Sequence, residues 1–180
     1  MSEKSKALKK VEDEKRLSEK IMTVLPGFRG YKEKELRRET DKLIRNHLYE
    51  KLVEAKSDLK ETYQRLVDNR IMETLTGMDR LVAKFDRIAE KVNHAFYGYS
   101  GFFDAVKIKE DRLDHVIKFD SDLIGSIDKT AAKVQKFKSE VASQKFTDAK
   151  TRIDGLLKDI DDLEKAFNKR KSTILDIVEE

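Results

Sequence analysis

The sequence predicts an all-α protein, and three observations carry that prediction. Its 180 residues include one Pro and seven Gly, while 41% are charged and 38% hydrophobic. Lys, Glu, Leu, Ala and Arg, the good helix formers, abound. Apolar residues recur in alternating steps of three and four, the spacing of a helical seam. Turn formers are too few for an all-β sandwich, which needs a turn signal every 8–12 residues or so. The expected arrangement is a long antiparallel helical hairpin, or coiled coil, with a short N-terminal helix. The alternative is a compact three- or four-helix bundle.

Residues 1–16 hold only Leu8 and Val11 as substantial apolar anchors after Met1 and are expected to fray. Residues 17–23, with Leu17 and Ile21, suit a short helix. The stretch VLPGFRG (24–30) punctuates the chain, because Pro-Gly favours a turn and the residue before Pro leaves the helical region. The first arm, 31–96, contains no Pro and only Gly77. In it Ile71, Leu75, Met78, Val82, Phe85, Ala89, Val92 and Phe96 form a heptad seam. Upstream, Leu48, Leu52, Ala55, Leu59, Tyr63 and Val67 continue it with a stutter of three successive four-residue steps. One helix over this arm spans about 99 Å at 1.5 Å per residue. Its weak spot is Asp68-Asn69-Arg70.

An aromatic turn, 97–108, follows. The second arm, 109–178, is close to the first in length. Leu113, Ile117, Ile124, Ile127, Ala131 and Val134 keep one phase, interrupted by the polar Asp120. Phe146, Ala149, Ile153, Leu156, Ile160, Leu163, Phe167, Ile174 and Ile177 keep another, with Arg170 as the polar member. The step from Val141 to Phe146 breaks phase and predicts a kink near 143–146, at Ser143-Gln144. Matched arms joined by a Gly-containing turn favour the antiparallel hairpin.

Five of the 14 aromatic residues fall within 96–103. If the arms are continuous, Phe96, Tyr97, Tyr99, Phe102 and Phe103 sit at a distal tip and form an exposed surface for a partner. If the arms break near Asn69 and Ser143, the turn returns beside Pro26–Tyr31 and its rings cap a core.

The charge is finely mixed. Residues 1–90 hold 22 basic and 18 acidic side chains, and residues 91–180 hold 17 of each. Within 29–45, Arg29, Lys32, Lys34, Arg37, Arg38 and Arg45 form a candidate contact for an anionic surface such as lipid headgroups. The plainer reading is a solvated helix face. Nucleic acid is disfavoured, since only Phe28 and Tyr31 lie near to stack on bases.

The chain has no Cys, which excludes disulfides and thiolate chemistry. Residues 2–20 have no apolar segment of the signal-peptide kind, and apolar runs stop at three residues; a cytoplasmic setting is expected. None of His47, His94 and His115 lies three residues after a carboxylate, as a di-iron bundle requires. No nucleophile elbow, phosphate-binding Gly loop or zinc motif is present. The expectation is therefore no catalytic residue, no cofactor and no metal.

Two blocks, LPGFRGYKEKELRRETDKLIR (25–45) and HAFYGYSGFFDAVKIKEDRLDHVIKFD (94–120), resemble recurring blocks of an uncharacterised prokaryotic all-helical family. The resemblance covers about a quarter of the chain and implies no activity. The expected topology is also similar to the membrane-remodelling hairpins of the phage-shock and ESCRT-III type. The chain departs from that pattern because residues 1–22 lack a clean apolar stripe.

A two-stranded hairpin leaves its seam partly open, so a homo-oligomer or a helical protein partner is expected to cover it. The function these features suggest is a non-enzymatic scaffold or adaptor. A peripheral membrane-surface protein using 29–45 is the alternative, and a metal-binding or enzymatic bundle comes third.

Overall fold

Each arm folds back on itself at the place where its apolar pattern fails. The computed structural model describes residues 15–16, 19–27, 34–95 and 110–176. Every regular element in them is helical. A short helix, α1, covers 19–24. Then come α2 (Lys34–Asp68), a single 3-10 turn (Met72–Thr74), α3 (Leu75–His94), α4 (Glu110–Ala142) and α5 (Ala149–Asp176). The all-α expectation holds, and of its two arrangements the chain adopts the bundle. A rod-like first arm over 31–96 would be a single helix; the described part of that arm is α2 and α3 with a reversal between them. The second arm reverses at 143–148.

Both breaks use the same cap. Arg70 and Gln144 take left-handed backbone, with φ of 58° and 57°. The amide of Arg70 donates to the Val67 carbonyl and that of Ile71 to the Leu66 carbonyl. Gln144 donates likewise to Val141, and Lys145 to Glu140. These paired bonds satisfy the last carbonyls of α2 and α4 in a Schellman arrangement. Asp68-Asn69-Arg70 and Ser143-Gln144-Lys145 offer no apolar side chain to hold a helix onto a core, so reversal costs little there.

Cross-helix ion pairs give the directions. Lys56 meets Asp86, and Arg152 meets Glu140, so α2–α3 and α4–α5 are antiparallel hairpins. His47 meets Asp128 and Asp58 meets Lys138, so α2 and α4 run parallel. Lys84 with Asp161 and Arg87 with Glu164 make α3 and α5 parallel as well. Around the bundle the order is α2, α3, α5, α4. Two hairpins thus stand side by side, like helix against like helix, as in stacked α-hairpin repeats.

The buried positions repeat. Leu48, Leu52, Ala55, Leu59, Thr62 and Leu66 of α2 recur 75 residues on as Leu123, Ile127, Thr130, Val134, Phe137 and Val141 of α4. Thr74, Met78, Leu81, Phe85, Ile88 and Val92 recur at the same interval as Ala149, Ile153, Leu156, Ile160, Leu163 and Phe167. Ile71 and Phe146, both partly buried, keep the interval too.

Burial corrects the expected seams in two places. In α2 the stripe does not stutter through Tyr63 and Val67, which are half-buried; it continues through Thr62 and Leu66. Thr62 is tolerated inside because its hydroxyl donates to the Asp58 carbonyl at 2.7 Å. In α3, Leu81 and Ile88 are fully buried while Val82 is half-buried. A helix in a bundle packs against two neighbours and needs a wider apolar face than a two-stranded seam. In α5 the expected stripe from Ala149 to Phe167 is buried throughout.

Among the described residues, most of the expected seam positions are buried within the one chain. Leu156, for example, is 2% exposed inside this core. At the other end of the bundle Ile21 and Leu25 join the same core, and the Leu25 amide returns to the Ile21 carbonyl at 2.8 Å. Gly27, at φ 95°, makes the expected turn against Leu43. No helix among the described residues is long and apolar enough to cross a membrane.

Candidate functional site

The residues singled out from sequence divide sharply. Phe96, Tyr97, Tyr99, Phe102 and Phe103 lie outside the described residues, as do Arg29 and Lys32. The backbone of Lys34, Arg37 and Arg38 is helical, at the start of α2. Arg45 is 6% exposed and engaged within the protein, so it does not extend an exposed basic face.

Two surface depressions are built by described residues. The first is a groove of about 320 Å³ between α2 and α4. Among its lining residues are three alanines, buried Ala55, half-buried Ala131 and exposed Ala132. Lys51, Glu54, Asp58, Asp128 and Gln135 complete the lining. Several of these side chains are paired. Asp128 meets His47 at 3.0 Å. Glu54 meets Lys51 at 3.2 Å. Asp58 accepts from Lys138, which also reaches Glu61 at 2.6 Å. The hydrogen bonds from Lys138 to Asp58 and then Glu61 raise its ammonium above its ordinary value. The Lys138 bond, with Arg65 second, holds the Glu61 carboxyl below its own.

The second depression, about 370 Å³, lies where α3 stops against α2. Lys42, Arg45, Asn46 and Tyr49 come from one face of α2, at helical spacing. Val92, Asn93 and His94 come from the last turn of α3. His94 lies 3.1 Å from Glu90, the same-face pair expected at four-residue spacing. About two turns away along both helices, Lys56 meets Asp86 at 2.5 Å; that hydrogen bond raises the lysine and lowers the carboxyl.

Sequence reasoning missed both depressions. It placed chemistry on the basic run and the aromatic turn, weighed His94 only as a metal ligand, and passed over Lys42, Asn46, Tyr49 and Asn93. The 75-residue recurrence could have found them, because it sets Lys42 and Tyr49 where the second hairpin has Ile117 and Ile124. Among the described residues no three His, Asp or Glu side chains gather where they could hold a metal ion. One buried hydroxyl, Ser121 Oγ, has no hydrogen-bond partner there.

No family model matches the chain, and no curated protein or solved structure is significantly similar to it. Function is then a matter of the chain's own geometry and chemistry.

Proposed function

We propose that the protein is a non-enzymatic adaptor that works through protein–protein contacts, with the α2–α4 face as its docking surface for a helical segment of a partner. One observation carries this reading: two equivalent hairpins stack with like helices side by side and leave a groove between α2 and α4, with Ala55, Ala131 and Ala132 in its lining. Stacked α-hairpins commonly recognise partners along the surface made by their like helices. The small side chains of Ala55, Ala131 and Ala132 admit close approach of a helix, and the polar lining residues supply hydrogen-bonding groups. The reading involves no cofactor and goes with a cytoplasmic setting.

A photo-crosslinking residue at Gln135 tests it in cells. The expected result is one adduct of discrete mass, lost when Ala132→Glu blocks the groove and absent from the same probe at Lys158 on α5. Sedimentation velocity of the purified chain then tells whether the adduct is a second copy. No adduct from Gln135, or equal adducts from Gln135 and Lys158, overturns the proposal.

A further inference from the structure

We infer that residues 4–11 of this chain dock in the groove between α2 and α4 and compete there with the partner. The inference rests on the adaptor reading for the role of the groove, and it adds the regulation of that site.

The groove is acidic. Its described lining carries Glu54, Asp58 and Asp128 against Lys51. Glu50, one turn before Glu54, and Glu61, one turn after Asp58, extend the row along α2 at helical spacing. Neighbouring cations offset part of this. Lys138 is shared by Asp58 and Glu61, Arg65 also reaches Glu61, and His47 meets Asp128. With histidine neutral, these five carboxylates stand against Lys51, Arg65 and Lys138. The pairs are partly exposed, so they exchange partners at little cost.

The N-terminal segment has the complementary character. Residues 1–14 lie outside the described residues. Within them KSKALKKV (4–11) holds four Lys and no carboxylate. Leu8 and Val11, three apart, share one edge of a helical turn, and the small side chains of Ala55, Ala131 and Ala132 leave room for such an edge.

The tether is long enough. Gly27 lies against Leu43 near the start of α2, which holds the N-terminal segment at the end of the bundle from which the groove runs. Leu43 to Asp58 is about 22 Å along α2, and 14 residues reach about 46 Å when extended. Glu12, Asp13 and Glu14 follow directly and oppose docking, so the lysines and Leu8 carry it, and salt weakens it.

The full chain with a photo-crosslinking residue at Gln135, purified and irradiated, tests the docking without a partner. The expected product is a monomer whose digest links residue 135 to a peptide from 4–11. Lys9→Glu with Lys10→Glu is expected to lower its yield about threefold, the order that two exposed ion pairs carry. Lys145→Glu with Lys150→Glu, the same change on exposed lysines at the opposite end of the bundle, is expected to leave the yield unchanged. In cells the Lys9→Glu, Lys10→Glu chain is expected to give more partner adduct than the parent chain. A link between two chains, no link to 4–11, or equal loss in both double variants overturns the inference and leaves the adaptor reading standing. An intrachain link with partner adduct unchanged by Lys9→Glu and Lys10→Glu also overturns it, because the segment then does not compete. No adduct in cells from either chain overturns the adaptor reading, and with it the competition, while the intrachain link still reports the docking.

Discussion

The α2–α3 and α4–α5 hairpins bury the same twelve positions 75 residues apart, yet they differ at both ends. At the reversals, α2 runs two residues past Leu66 and α4 only one past Val141; six residues separate the α-helices in each hairpin, but only the first connection contains a 3-10 turn, Met72–Thr74. At the opposite end α5 has 28 residues and α3 only 20. Few of the twelve pairs are identical; Leu48 with Leu123 and Leu81 with Leu156 are. What repeats is the spacing of buried volume. A packed core constrains where apolar groups fall far more tightly than which ones they are. Ile21 and Leu25 of the N-terminal segment join the core the two hairpins share, and the second depression lies between the last turn of α3 and α2.

The largest effects come from the paired core positions. Phe85 and Ile160 are equivalent, and both are 0% exposed. Phe85→Ala is expected to cost about 3–5 kcal/mol and Ile160→Ala about 2–5 kcal/mol. Because the hairpins share one core, urea unfolding followed by circular dichroism is expected to keep a single transition in each variant. Two separated transitions would show that the hairpins fold independently.

The glycines give a smaller effect with a change of sign. A Cβ on Gly77 would lie 2.9 Å from Ile153 Cγ2, at the close approach of α3 to α5. Gly77→Ala is therefore expected to destabilise by about 1–3 kcal/mol through overpacking. A Cβ on Gly155 meets nothing within 4 Å, so Gly155→Ala is expected to stabilise by about 0.5–1 kcal/mol. Chemical melts of the two variants check the pair. A stabilised Gly77→Ala would mean that α3 and α5 are less tightly apposed than the structure has them.

The smallest effect is electrostatic. Glu61, held down by Lys138 and then Arg65, and Asp86, held down by Lys56, have folded values below their ordinary 4.5 and 3.8. Their contribution to stability is therefore complete above those values and lost as pH falls through the lower folded ones. Lys138 has the opposite sign: raised above 10.5, it contributes below that value and the contribution is lost as pH rises through its folded value. Lys138→Met is expected to flatten the acid side of the stability profile, measured by urea midpoints at neutral and acid pH. An unchanged acid slope would show that the α2–α4 pairs are solvent-screened.

Much of this architecture was legible in the sequence, and for a local reason. Helix formation depends on neighbours within one or two turns, so the all-α class, the Pro26-Gly27 turn and the breaks at Asn69 and Ser143 could be read residue by residue. The buried stripe of α5 was legible because its apolar residues keep one unbroken phase. Non-local facts decided the rest. Leu81 and Ile88 look like spare apolar residues until α3 has two neighbours to face. Thr62 and Thr130 look polar until their hydroxyls turn back to the carbonyls of Asp58 and Ser126. Arg45 looks like surface charge until the core closes over it. The sequence by itself determined that the chain is helical, where it breaks, and that its apolar residues are rationed into stripes. Only the tertiary structure decided which stripes meet, because burial depends on a partner helix tens of residues away. That pairing set the hairpins side by side and left the two depressions along α2.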